Sequence, residues 1–260
     1  MGKLQDIYKV ISNEKLCEKF TRLRIDAKPI VEKSRPGQFI HIRINDGLEP
    51  FFRRPFSIYR AKKSLEILYE VVGSGTGALA AKKKGDTLDV LGPLGTPFGM
   101  PPKGIKQIVM VAGGVGVAPF LFLSDTLKKK DYELILLYGG RTKGHIFNID
   151  EFKKNGCGVF QATDDGSVGV KGRVSKLFPK IDPCPETTFI YTCGPRPMMA
   201  SVQDFARKHK LRARGSCEEV MACALGACLG CSIKTTQGFK TVCGDGPVFD
   251  LHELIFEKIT

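Results

Sequence analysis

Four cysteines near the end of the chain limit what it can fold into more than any other feature. Cys223, Cys228, Cys231 and Cys243 are separated by four, two and eleven residues. The first three reproduce the Cys-x4-Cys-x2-Cys spacing that sets thiolates around a 2Fe–2S cluster, with a later cysteine closing the site. The sulfurs of such a cluster accept hydrogen bonds from backbone N–H groups, so the loop must wrap closely. Ala222, Ala224, Gly226, Ala227 and Gly230 supply the small residues this needs. Zinc sites usually take two Cys-x2-Cys pairs, and only one is present. A disulfide framework suits short secreted chains, not one of 260 residues with no signal-peptide layout. Cys217, six residues ahead of the first ligand, is the one substitute, at a spacing that disfavours it. The scattered Cys17, Cys157, Cys184 and Cys193 read as single structural residues.

The chain ahead of this segment changes grammar once. Up to about residue 100 it alternates, as in Phe39 to Ile44 and Leu65 to Val72, which predicts half-buried strands. Turn signals fall at Arg35-Pro36-Gly37, Asn45-Asp46-Gly47 and Gly92-Pro93-Leu94-Gly95. Short strands at regular spacing predict a small β-barrel. Thr96 to Gly104, with three prolines, reads as a linker. From Lys106 the strands become continuous apolar runs: Ile108 to Ala112, Glu133 to Tyr138 and Thr188 to Thr192. Each ends in glycines and leads toward a helical pattern, which predicts a doubly wound parallel α/β sheet. Ligands on such sheets sit at the carboxyl ends of strands, where these glycines fall. The expected domains are therefore a barrel over 1–100, an α/β domain over 101–212 and a small 2Fe–2S domain over 213–260.

Two glycine clusters follow strands and precede helical stretches. Gly113, Gly114 and Gly116 form one, and Gly73, Gly75 and Gly77 the other. Such turns let backbone N–H groups approach a pyrophosphate. Taken alone, a tight βα turn for the first and a hairpin or bulge for the second explain them equally well. The net charge of +13 collects at Lys82 to Lys84 and Lys128 to Lys130, where cations suit helix C-termini. No nucleic-acid-binding motif accompanies it, so no nucleic-acid partner is expected. No apolar run is long enough to span a bilayer, so no membrane is expected and a cytoplasmic address follows by default. His41, His145, His209 and His252 show no ligand spacing and read as surface or satisfied histidines.

The order of these pieces carries a resemblance. Arg54-Pro55-Phe56-Ser57 in a barrel half resembles the flavin signature of the ferredoxin-reductase superfamily. Gly75-Thr76 resembles its flavin-pyrophosphate turn, Gly113 to Pro119 its pyridine-nucleotide turn and Cys193-Gly194-Pro195 its nicotinamide-side motif. With the C-terminal cysteines added, nearly the whole chain resembles the electron-transfer subunits of class B dihydroorotate dehydrogenases. Supporting phrases are Ala162-Thr163-Asp164-Asp165-Gly166-Ser167 and Cys243-Gly244-Asp245-Gly246-Pro247.

The resemblance implies a relay in pyrimidine biosynthesis. An FMN-containing catalytic subunit oxidises dihydroorotate, electrons pass through the 2Fe–2S cluster to FAD, and a hydride goes to NAD+. FAD is then expected on Arg54, Pro55, Phe56, Ser57, Leu68, Tyr69, Glu70, Gly75 and Thr76, with Tyr69 open to a plain packing role. NAD is expected on Gly113, Gly114, Gly116, Cys193, Gly194 and Pro195, with Cys193 a contact and not a nucleophile. Asp164 and Asp165 favour a free ribose hydroxyl and hence NAD, while Arg141 and Lys143 pull toward NADP. The expected assembly is a heterotetramer with two copies of each subunit. A ferredoxin–NAD(P) reductase or sulfide dehydrogenase subunit on the same scaffold is the alternative, and a cluster-binding regulator without enzyme activity the remote one. The apolar Val248-Phe249, Leu251 and Leu254-Ile255-Phe256 are either a partner-facing patch or internal packing.

Overall fold

The computed structural model describes residues 4–256 apart from 46 and 48, so Asp46 of the expected Asn45-Asp46-Gly47 turn lies outside the described residues. The first part of the chain forms β1 (Leu4–Lys15), β2 (Phe20–Ile25), α1 (Lys28–Lys33), β3 (Phe39–Arg43), β4 (Arg54–Ala61), β5 (Leu65–Glu70), α2 (Ser74–Ala80) and β6 (Thr87–Leu94). The six strands close into an antiparallel barrel in the order β1-β2-β5-β4-β3-β6. Alternation does what it must in such a barrel. Leu23, Ile25, Ile40, Ile42, Ile58 and Ile67 point inward and are fully buried.

The expected turn at Gly92 to Gly95 is different. Gly92, Pro93 and Leu94 are the end of β6, and the register against β3 shifts between Phe39 and His41. Such an irregularity is where a strand tolerates a proline that cannot donate to the ladder. The expected linker is also pinned. Phe98 is fully buried between Phe120 and Tyr191, with ring centroids 5.5 and 5.2 Å away.

The second part comprises β7 (Gln107–Gly113), α3 (Ala118–Leu127), β8 (Glu133–Gly140), α4 (Ile149–Lys154), β9 (Cys157–Thr163), β10 (Val170–Lys171), β11 (Thr188–Cys193), α5 (Arg196–Lys208) and β12 (Arg212–Ser216). Next come the hairpin of β13 (Ser232–Thr235) with β14 (Gly238–Thr241), and then β15 (Val248–Asp250). The sheet order is β10-β9-β8-β7-β11-β12-β15, parallel throughout except that β15 runs antiparallel to β12. The central strands are covered on both faces, so they are apolar at successive positions. The side chains of Ile108, Val109, Met110, Val111 and Ala112 are all buried. One face packs on α3 and the barrel side, the other on α5 and the cysteine-bearing segment.

One open alternative is decided in part and one expectation needs correction. Val248, Phe249, Leu251 and Leu254 are buried against α5 and β12, because β15 completes the sheet edge, so they are internal packing, while Ile255 stays 38% exposed. His41 is not at the surface. It is fully enclosed, with backbone groups of Arg53 and Met221 as its polar neighbours, and neither ring nitrogen meets full hydrogen-bond geometry. Burial first, and the Arg53 charge second, push its pKa down to about 4, so the ring is neutral.

The barrel meets the sheet through α3, and one acid holds that contact. Asp125 Oδ2 accepts from Arg60 Nε of β4 at 2.7 Å, and Oδ1 lies 2.8 Å from Lys62 Nζ and 3.1 Å from Asn155 Nδ2. Burial raises this carboxyl, but the bonds from Arg60 and Lys62 outweigh it and hold the pKa below the ordinary 3.8. A lowered folded value contributes stability that is complete above the unfolded pKa and lost as pH falls through the folded one. Asp125→Ala is expected to lower unfolding stability by about 2–4 kcal/mol at neutral pH. Denaturant titration should show the gap between variant and parent closing below pH 4 or so.

Candidate electron-transfer site

A cleft of about 840 Å³ opens between the barrel and the carboxyl edge of the sheet. The barrel wall is built from the start of β4 and the end of β5: Arg54, Pro55, Phe56, Ser57, Leu68, Tyr69 and Glu70 all line it, with Thr76 of α2. Neighbouring antiparallel strands bring residues distant in sequence to one rim. Gly75 completes the group from behind. A Cβ there would lie 2.9 Å from Arg54 Nε, so glycine lets the guanidinium lie against the first turn of α2 where a side chain would push it aside. Thr76 Oγ1 accepts from the N–H groups of Val72 (2.9 Å) and Gly73 (3.2 Å), which fixes that turn. Arg54 donates only to the Phe52 and Arg53 carbonyls, and no carboxylate among the described residues pairs with it. A fixed, unpaired guanidinium beside a helix start in a deep cleft is a set of groups that suits a diphosphate. Tyr69 is buried, gives its hydroxyl to Asn13 Oδ1 at 3.0 Å and also lines the cleft. Its packing role is therefore real.

The second pair of motifs meets at the ends of β7 and β11, which lie side by side with Ala112 opposite Cys193. Gly113 to Gly116 turn tightly into α3, and Gly194 follows β11. A Cβ on Gly116 would lie 2.4 Å from the Cys193 carbonyl oxygen, so the two turns touch backbone to backbone. Cys193 is fully buried. Burial pushes its thiol well above the ordinary range, and its Sγ contacts Glu218 Oε1 at 4.0 Å. Such burial disfavours the thiolate.

At the end of β9, Asp165 is spent on its own turn. It accepts from the Ser167 N–H (3.0 Å) and hydroxyl (2.7 Å), while Ser167 Oγ accepts from the Lys143 N–H at 2.7 Å. Asp164 and Asp165 are both exposed at this edge, and the Asp164 carboxylate is the one outside that turn's hydrogen bonds.

The four expected ligand cysteines come as two pairs. Cys231 Sγ lies 3.3 Å from Cys243 Sγ, and both are buried. Cys223 Sγ accepts from the N–H groups of Leu225 and Cys228, each at 3.4 Å, and Cys228 is exposed. Gly226 donates to Cys243 Sγ at 3.2 Å, so the pairs face each other across the loop. Among the described residues no three His, Cys, Asp or Glu side chains share one metal-holding point. Two facing pairs suit the two irons of a 2Fe–2S cluster. The N–H donors pull the Cys223 thiol down to about 6, while burial and the adjacent Cys231 push Cys243 up to about 12. Reaching backbone N–H groups and a partner thiol in the same place is what thiolate ligation to a metal requires.

Motif reading missed the third wall of the cleft. Ser216 to Ala222, the segment between β12 and Cys223, faces the barrel residues across it, together with Arg196 of α5. Glu218 stands exposed on this wall, open to the cleft and to a second cavity behind it, and the crowding of the surrounding walls raises its carboxyl above the ordinary value. The one signal in the sequence is position. A segment that ends at a cluster ligand and carries two adjacent acids between apolar neighbours has few other places to go. A backbone clash is also testable here. Gly116→Ala is expected to cost about 1–3 kcal/mol of stability by overpacking. Gly114→Ala has open space but a φ of +55°, and should cost about 1–2 kcal/mol. Urea melts that rank the two the other way would show that these turns do not touch.

Comparison with known proteins agrees with this geometry. Residues 218–255 match a family described as the iron-sulfur cluster binding domain of dihydroorotate dehydrogenase B, and residues 110–204 an oxidoreductase NAD-binding domain. The dihydroorotate dehydrogenase B (NAD(+)) electron transfer subunit of Desulforamulus reducens is 35% identical, covering 98% of each chain. That of Bacillus caldolyticus is 35% identical over 95% of this chain and 96% of its own. Among solved structures, one describing flavin-based electron bifurcation by an NADH-dependent reduced ferredoxin-NADP oxidoreductase aligns with a TM-score of 0.84 and 28% identity, over 96% of this chain and 90% of that one. A ferredoxin NADP+ reductase from Neisseria gonorrhoeae with bound FAD and NADP aligns with a TM-score of 0.68 at 19% identity, over 79% and 91%, which shows the shared fold. The chain belongs to the family of electron transfer subunits of dihydroorotate dehydrogenase B (NAD(+)).

Proposed function

We propose that this chain carries electrons from a dihydroorotate-oxidising, FMN-containing subunit to NAD+, through a 2Fe–2S cluster and FAD, as a step of pyrimidine biosynthesis. One observation carries the reading: the segment that walls the cleft opposite Arg54 to Ser57 leads directly into the first cluster ligand, Ala222 lining the cleft and Cys223 following it. The two sites share a piece of backbone. FAD, when bound, supplies the conversion between single electrons and a hydride.

The residues have distinct tasks. Arg54, Gly75 and Thr76 would hold the diphosphate, while Pro55, Phe56, Ser57, Leu68 and Glu70 orient the ring system and keep water from it. Gly113, Gly114, Gly116, Gly194 and Pro195 would bring the nucleotide to the sheet edge, with Asp164 taking a ribose hydroxyl. Cys223, Cys228, Cys231 and Cys243 would ligate the cluster. In this reading residues 1–100 bind flavin, 101–212 bind NAD and 213–260 bind the cluster. None of the helices among the described residues is long and apolar enough to cross a membrane, and the proposed setting is the cytoplasm.

The partner would dock on the cluster side. Val220, Leu225, Leu229 and Phe239, on the cysteine-bearing segment and its hairpin, are 86, 49, 63 and 76% exposed, and Cys228 is exposed with them. This group replaces the largely buried C-terminal run as the apolar surface available to a catalytic subunit, with two copies of each chain in the assembly. The likeness to the NADH-dependent reduced ferredoxin-NADP oxidoreductase keeps a second reading in view, in which a different redox partner occupies the same face.

The deciding experiment is co-purification with the dihydroorotate-oxidising subunit, followed by dihydroorotate-driven NAD+ reduction. Reduction is expected with both chains and none with Cys228→Ser. Leu229→Glu is expected to weaken the complex at least tenfold while flavin content is kept, and Phe256→Glu to weaken it less. A pair that reduces an artificial dye but never NAD+, beside a chain that oxidises NADPH by itself, would favour the second reading.

A further inference from the structure

The 840 Å³ cleft adjoins a second cavity of about 360 Å³, set between the start of α5 and the β13–β14 hairpin. Arg196, Cys217, Glu218 and Glu219 line both, so they are the partition between them. Across that partition Arg196 Nη2 donates to Glu219 Oε1, tying the first residue of α5 to the segment that leads to Cys223.

Arg196 sits where its own helix does not favour it. A helix start carries partial positive charge and prefers an anion, and the first turn of α5 contains no acid to offset the arginine. Its side chain is 61% exposed and that of Glu219 22%, so their pair is of the weakly held, solvent-screened kind. A guanidinium so placed is free to exchange its carboxylate for a better anion. The place also suits a nucleotide: Arg196 follows Gly194 and Pro195, and Gly194 packs against the backbone of Gly113. Diphosphate oxygens match the planar fork of arginine as a carboxylate does, with more charge to offer.

We propose that Arg196 is a phosphate-binding residue for the dinucleotide, and that Glu219 is its internal stand-in, displaced when the diphosphate arrives. The proposal rests on the reading of the sheet edge as the NAD site and adds to it a residue that no glycine motif contains. It also gives Glu219 a defined effect: it competes with the nucleotide for one guanidinium. Displacing it frees the segment just ahead of the cluster ligands, so nucleotide occupancy is communicated to that segment.

The test is direct measurement of NAD+ affinity by calorimetry on the assembled complex, for the unaltered protein, Arg196→Gln and Glu219→Gln. Flavin absorbance and the cluster's EPR spectrum report that each variant is intact. Arg196→Gln is expected to weaken NAD+ binding about tenfold or more, and Glu219→Gln to tighten it. Unchanged affinity in Arg196→Gln would overturn the phosphate role. Unchanged or weakened affinity in Glu219→Gln would overturn the exchange and leave the pair a structural clamp. Failure of the unaltered complex to bind NAD+ would overturn the nucleotide reading itself, and this one with it.

Discussion

Three short strand pairings hold both feet of the cysteine loop at the rim of the cleft. Arg214, Gly215 and Ser216 of β12 pair with Asp250, Phe249 and Val248 of β15, so residues 217–247 leave and return through one pinch point. Cys217 donates its N–H to the Pro247 carbonyl at 2.9 Å. Thr96, at the exit of the barrel, donates its N–H to Gly246 O at 2.7 Å and its hydroxyl to Val248 O at 3.2 Å. Closing a loop costs entropy that grows only slowly with its length, so a few such bonds and a buried Phe249 suffice to fix a long excursion. The result is that barrel, sheet and cluster loop share one junction.

That junction explains why the site can be both rigid and adaptable. The inner cysteines, Cys231 and Cys243, belong to the same buried cluster as Met199, Val202 and Leu251, so they are held by the sheet's own core. The outer pair is held mainly by N–H groups and stands open to a partner. A 2Fe–2S cluster bound there ties the outer pair to the inner and makes folding of the loop part of the binding free energy. The cleft works likewise: a ligand touching Arg54 and Met221 at once would stabilise the barrel against the pre-cluster segment by mass action. Through Asp125, the α3 contact keeps the barrel from shifting along the sheet while this happens.

Most of the architecture was legible because its causes are local. A sheet covered on both faces must have apolar strands, and a closed barrel must alternate; β7, β8, β11 and β3 show these patterns openly. The cysteine spacing and the motif order carried the cofactors for the same reason, since ligand chemistry dictates residue type and distance along the chain. What was not legible depends on contacts far apart in sequence. β12 reads Arg-Ala-Arg-Gly-Ser and looks like a surface loop, yet Arg214 extends over the Phe189 ring to reach the Phe98 carbonyl. The run from Val248 to Leu254 has the composition of an interface as much as a core, and only its pairing with β12 decides. Gly92-Pro93 has the composition of a turn, and only the register against β3 makes it strand. The Ser216 to Ala222 wall has no motif because its partners across the cleft, Arg54 to Ser57, lie far away in sequence, on the barrel. His41 is the opposite case: nothing in its neighbours along the chain announces a fully enclosed imidazole.

The central claim is that the cleft and the cluster loop form one electron path inside this chain, joined at residues 221–223. Rapid-freeze EPR of the complex after mixing with NADH, with no dihydroorotate present, tests it most directly. The account predicts that the reduced-cluster signal appears as the flavin absorbance falls. A flavin that bleaches fully while the cluster stays silent at every time point would contradict it.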